Sequence, residues 1–161
     1  MSIANVLDGL KISMLTVVPG AGYPGLTDAQ VLVDPPENIS SGDFPIAILY
    51  LTPGVAQDFK INSEGAGYEH IYQVTMFVIL GVRSKGIKDN HRQIINWPIP
   101  VYLALLGNMT LSGRCEYIGH KQGDLQLLDR PVWSVITYGG GEYVGWRFPI
   151  WVTELYAVAP Q

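Results

Sequence analysis

Residues 70–82, HIYQVTMFVILGV, constrain what this chain can fold into more than any other stretch. With His70 neutral they carry no charge. Tyr72, Val74, Met76, Val78, Leu80 and Val82 alternate with Ile71, Gln73, Thr75, Phe77, Ile79 and Gly81. A period of two, rich in β-branched and aromatic residues, specifies a strand. The first set is wholly apolar and needs cover. The second is apolar only toward its C-terminal end, so half cover suffices. A central strand is expected, with partners beside it and a lid above it.

Composition says how such a strand is housed. A chain of 161 residues is expected to form one domain able to bury a core without staples. Cys115 is the sole cysteine, which excludes an internal disulfide and suits a reducing compartment. A net charge of −4 with no Lys/Arg run argues against a nucleic-acid grip. Charged residues make up 15% of the chain, against about 25% in an ordinary soluble domain. Surface hidden against other subunits explains that deficit better than a coat of Ser, Thr, Asn, Gln and Gly, because protein contacts deplete charge and enrich aromatics. No run reaches the ~18 apolar residues of a membrane span. No basic leader precedes an apolar run, so no signal peptide is expected and the sequons at Asn38 and Asn108 carry no meaning.

Along the chain, Ile3, Val6, Leu7, Leu10 and Met14 form one face of a short helix with Ser2 as N-cap, although Gly9 weakens it. Residues 19–41 form a long loop or arm with a short strand at 30–33. Residues 45–52 and 55–62 read as strands separated by a turn at Pro53-Gly54, and 63–67 as a glycine turn into the central strand, together an antiparallel meander. In 91–106 the spacing of Ile94, Ile95, Val101, Tyr102, Leu105 and Leu106 suits a helix laid on the sheet. Pro98 and Pro100 kink or split it: one segment ends near Asn96 and a second has a proline in its first turn. Strands follow at 114–120, 132–138 and 143–156. In the last, Val144, Trp146, Phe148, Ile150 and Val152 share a face, and Pro149 implies an edge or a bulge. The fold class is therefore α+β: an antiparallel, mostly meander sheet of about five strands, a helix on one face and a short N-terminal helix.

Chemistry is hard to find. Gly20, Gly22 and Gly25 spell GxGxxG, but a helix rather than a strand precedes them and Pro24 interrupts. His70, His91 and His120 have no ligand-spaced partner, so no metal is expected. Cys115 reads as a small buried hydrophobe. No catalytic residue or cofactor site is expected, although folding could still bring carboxylates such as Asp58 and Glu64 together. Trp133 and Trp146 read as core. Trp151 points away from the Trp146 face, toward either a subunit contact or a second buried layer.

The order of these elements has a precedent. An N-terminal helix, a meander, a glycine turn, a long strand and a helix lead to the turn LGNMTLSG at 106–113 and to aromatic strands closing on YVGWRFPI at 143–150. From about Pro45 onward this resembles the tail-terminator and head-to-tail joining proteins of long-tailed bacteriophages. The resemblance implies a protomer of a ring, commonly a hexamer, at the head-proximal end of the tail tube. Such a ring stops tube polymerisation, joins tail to head and passes DNA through its lumen. The implied partners are further copies of the chain, a tube protein and a head-connector protein, with no membrane and no small-molecule substrate. The implied place is the virion, after assembly in the host cytoplasm. Candidate interaction residues are Tyr23, Glu64, Tyr68 and Tyr143, on or beside the loops able to reach a neighbour, and the outward Trp151 of the last strand. Another neck component remains an alternative, as does a small-molecule module or enzyme using the sheet–helix cleft around Glu69, Asp89 and His91.

Overall fold

A computed structural model describes residues 2–20, 24–40, 44–61, 67–85, 94–119 and 129–157. In chain order the elements are α1 (Ile3–Met14), β1 (Val31–Leu32), β2 (Ile46–Leu51), β3 (Asp58–Ile61), β4 (Gly67–Val82), α2 (Pro98–Leu106), β5 (Tyr117–Ile118), β6 (Val132–Tyr138) and β7 (Gly141–Ala157). Among the described residues the fold is α+β, with a mixed sheet of seven strands and two α-helices on one face.

The alternating stretch at 70–82 lies in β4, which pairs antiparallel with β7 from Gly67↔Ala157 to Val82↔Tyr143. This two-stranded ribbon is the middle of the sheet. β2 and then β3 run along the outer side of β4, at Ile79 to Val74 and at Ile71 to Tyr68. β5 and then β6 run along the outer side of β7, at Thr153 to Val152 and at Arg147 to Gly141. One end of the ribbon is thus flanked by β2 and β6, and the other by β3 and β5.

Three expectations about the sheet need correction. It has seven strands rather than about five. It is not purely antiparallel, because β1 runs parallel to β2. It is not a simple meander, because β2 and β3 do not form a hairpin. Both run antiparallel to β4 along the same edge, so the Pro53-Gly54 turn bulges out of a single lane and the chain keeps its direction. The expected strand at 114–120 shrinks to Tyr117–Ile118, since the preceding turn persists through the Cys115 N–H, which donates to the Thr110 carbonyl.

On the first face of the sheet, Tyr72, Val74, Met76, Val78, Phe148, Ile150 and Val152 pack against Val6, Leu10 and Met14 of α1 and against Trp97, Val101 and Leu105. Each such buried side chain contributes about 1.5–3 kcal/mol. Ser2 caps α1 as expected, its hydroxyl accepting from the Asn5 N–H at 3.4 Å. Pro98 opens α2 and Pro100 lies in its first turn, where a missing N–H breaks no helical bond. No proline sits deeper in this helix. Gly9 is explained by close approach: a Cβ there would lie 2.8 Å from Leu111 Cβ. The 106–113 turn docks on α1 at this point, with Asn108 Nδ2 donating to Ser13 Oγ at 3.0 Å.

The second face is covered at the β2/β6 end. Ile46, Ile48, Ile79, Ile136 and Tyr143 form a smaller core under Ile39 and Phe44. The described part of the long loop is therefore packed, because Leu26 and Val31 enter the first core and Ile39 the second. Val82 joins the second core rather than the Tyr72 face. A bulge between Ile79 and Gly81 takes in Leu80 and reverses the alternation beyond it.

Pro149 is not in an edge strand, since β7 has neighbours on both sides. Its carbonyl accepts from the Asp129 N–H on the outer side at 2.9 Å. A strand residue directs N and O to the same side, so the absent N–H faces the break between β5 and β6. Gly145 shows the tightest approach of the two central strands, because a Cβ there would collide with the Val78 carbonyl. Gly145→Val is expected to destabilise the protein by about 2–3 kcal/mol, read as a lowered midpoint in chemical unfolding. An unchanged midpoint would show that β4 and β7 can separate locally.

Candidate interaction surface

Among the described residues the helical layer is covered on one side only. α2, PIPVYLALL, contains no charged residue and presents apolar side chains all round. Such a helix is normally buried on every side. Here Val101 and Leu105 face the sheet, while Ile99 is 70% and Leu103 57% exposed, with Leu106 also at the surface. Ile95, expected against the sheet, is exposed as well. Beside them the last turns of α1 and the following residues expose Ile12, Leu15 and Val18. Between the helices runs a groove of about 270 Å³ lined by Ile12, Ser13, Thr16, Leu103, Ala104, Gly107 and Asn108. The sequence carried this signal: residues 93–113 hold no formal charge, and a single helix cannot turn all of them toward one sheet.

A second apolar surface lies on the same face at the β3/β5 end of the ribbon. Phe59 is 65% and Ile61 83% exposed. Phe59 stacks on His70, with centroids 4.3 Å apart and 4° between the planes. Tyr68 stacks on Tyr156 at 5.9 Å. Beneath them Glu154 is fully buried and accepts from the Tyr156 hydroxyl at 2.9 Å. Burial and this carboxylate push the Tyr156 phenol up to about 12. Tyr72 is shifted upward for the same reasons. Cys115 is buried, and desolvation together with Glu154 and Glu116 pushes its thiol up to about 12, which keeps it protonated. Glu154 continues the Val144-to-Val152 alternation by one step, so its burial was there to be read.

Of the expected contact residues, Tyr68 is exposed beside Phe59 and Ile61. Trp151 is half-buried on the second face opposite Gln73, away from Trp146. Tyr143 is a core side chain of the second cluster, 5.9 Å from Phe44 between ring centroids, so it offers little surface. Tyr23 and Glu64 lie outside the described residues, as do Asp89, His91 and His120. His70 is buried, with Nε2 2.7 Å from Gln57 Oε1. Among the described residues no group of three or more His, Cys, Asp or Glu side chains could hold a metal, and no helix is long and apolar enough to cross a membrane. A wider depression of about 530 Å³ lies by Val82, Ser84 and Tyr143, and its two charged side chains, Arg83 and Glu142, pair with each other at 2.8 Å. Searches against protein-family models and curated protein sequences find no match for this chain.

The aromatic end of the ribbon sets one pH dependence. Burial lowers the pKa of His70 from its ordinary 6.5, more than the Glu154 carboxylate raises it. The folded state therefore favours the neutral ring, and the unfolded chain takes up a proton first as the pH falls. This contribution is complete above about pH 6.5 and is lost as the pH drops from there toward the folded-state value. In His70→Gln, the fall in unfolding midpoint between about pH 7.5 and about pH 5.5 is expected to be smaller than in the parent. An equal fall would assign the acid sensitivity to other groups.

Proposed function

We propose that this protein is a structural component of a long-tailed bacteriophage virion. In this reading it is a tail terminator whose copies form a ring, in the hexameric form common to that class, at the head-proximal end of the tail tube. There it stops polymerisation of the tube and joins it to the head connector, and DNA passes through the lumen. The observation that carries the reading is the bare apolar side of α2. Ile95, Ile99, Leu103 and Leu106, continued by Ile12, Leu15 and Val18, make a surface without charge on a chain already poor in charge. Exposed patches of this kind mark contact sites. The phage assignment rests on the resemblance in the order of helices and strands along the chain, without the meander, and in the 106–113 and 143–150 segments. An acidic ring suits transit, since a negative wall repels the DNA backbone rather than holding it.

The decisive measurement is the mass of the purified protein in solution, with images of the particles and with tube protein added in parallel. Closed rings, alone or on tube ends, are expected. A protein that stays monomeric at high concentration and ignores tube ends refutes the proposal. Leu103→Lys is expected to leave the protomer's stability within about 0.5 kcal/mol, because the side chain is at the surface. The same change should weaken assembly by about tenfold or more. Unaltered assembly would move the contact away from α2.

A further inference from the structure

We infer that the free edge of β6 is completed by β3 of a second copy of this chain, so that the sheet continues from one protomer into the next. This rests on the self-association proposed above and adds a sheet-edge contact to the α2 surface.

A free sheet edge specifies its own ligand, because its unpaired N–H and C=O groups accept another extended strand. Natural edges are usually blunted by charge, proline, a bulge or shortness. β6, VWSVITY, has none of these over its seven residues. Among the described residues it pairs with β7 alone, and Val132 and Val135 are exposed. The opposite edge of the same sheet offers a match in β3, which among the described residues pairs only with β4 and exposes all four side chains, its charged Asp58 and Lys60 lying on the face opposite Phe59 and Ile61.

Direction and face both agree. β3 is antiparallel to β4, β4 to β7 and β7 to β6. β3 therefore runs opposite to β6 within one protomer. Rotation about a ring axis that leaves the same sheet face outward brings the two edges together antiparallel, the more stable pairing. Residues directly opposite then share a face. Phe59 and His70 are partners, as are Trp133 and Trp146, which puts Phe59, Ile61, Trp133 and Val135 on the first face. Setting Phe59 opposite Val135 places Ile61 opposite Trp133 and covers Phe59, Ile61 and Val135, the exposed apolar side chains that the two edges carry on the first face. The two edges lie at opposite ends of the ribbon. Joining them tilts the strands against the ring axis, as closure of any sheet requires. Pairing β6 with β6 of a second copy would leave Phe59 and Ile61 bare.

The test is oxidative cross-linking of the double variant Phe59→Cys, Val135→Cys, with the parent as control, since Cys115 is buried. Directly opposed residues of an antiparallel pair have Cα atoms about 5.5 Å apart or less, within the range a disulfide spans. Most of the protein is expected to run as a covalent ladder up to the full ring. Lys60→Cys with Val135→Cys, on opposite faces, should give little. Amides of residues 132–138 should gain protection from hydrogen exchange on assembly, and Val135→Lys should assemble at least about tenfold less well while still folding. Intact rings without the Phe59–Val135 bridge overturn the inference and leave the proposed function standing. Cross-linking by Val135→Cys alone overturns it in favour of two-fold pairing of β6. A protein that never self-associates overturns both.

Discussion

The antiparallel pairing of β4 with β7 is the contact on which the rest of the structure depends. It runs the whole length of β4 and nearly all of β7 with one shift of register, at the Leu80 bulge. Because it is continuous, it decides which side chains share a face over the entire sheet. Every other strand of the sheet except β1 is attached to one of these two. The first face so defined is apolar from Tyr72 to Val78 and from Phe148 to Val152, and it draws α1 and α2 onto the same side. The bulge then turns Val82 to the second face, where it meets the smaller core around Tyr143.

The shortage of charge has an address. Acidic and basic side chains occur at α1, along β3 and around the Arg83–Glu142 pair, but none lies between residues 93 and 113. That interval includes α2 and the turn that locks it to α1. The helical layer thus presents to its surroundings a surface with core chemistry. At the β3 end, Phe59 and Ile61 repeat the pattern on the same face. The two places differ in cause: among the described residues nothing lies over the outer side of α2, whereas β3 lies beyond the part of the sheet that the helices cover.

Much of this was legible in the residues. The period of two identified β4 and β7, the three–four spacing with Ser2 identified α1, and the two prolines correctly marked the first turn of α2. The errors have physical causes. Pro53-Gly54 signals a turn equally well whether the chain reverses or loops out and resumes, so the lane formed by β2 and β3 read as a hairpin. A bulge leaves no clear mark in composition, so Val82 was put on the wrong side. Pro149 was read as marking an edge or a bulge because a break in the neighbouring lane, set by distant residues, cannot be seen locally. Tyr143 looked like a reaching residue beside a glycine turn, but the turn folds it back into the second core. The exposed side of α2 was readable from its lack of any polar position, whereas the bare edges of β3 and β6 depend on topology alone.

Pro149 also bears on how the sheet avoids misassembly. Alternation of apolar and polar side chains resists a slip of one residue, since that would turn a whole face inside out. It offers no protection against a slip of two, which preserves the faces. Pro149 supplies part of that protection on the outer side of β7. A displacement of β6 by two residues toward Pro149 would set the Val132 carbonyl against a nitrogen with no hydrogen to give, at a loss of about 1 kcal/mol or more. The ring of Pro149 thus acts as a stop against one direction of slip in the outer lane, an error that side-chain patterning leaves open.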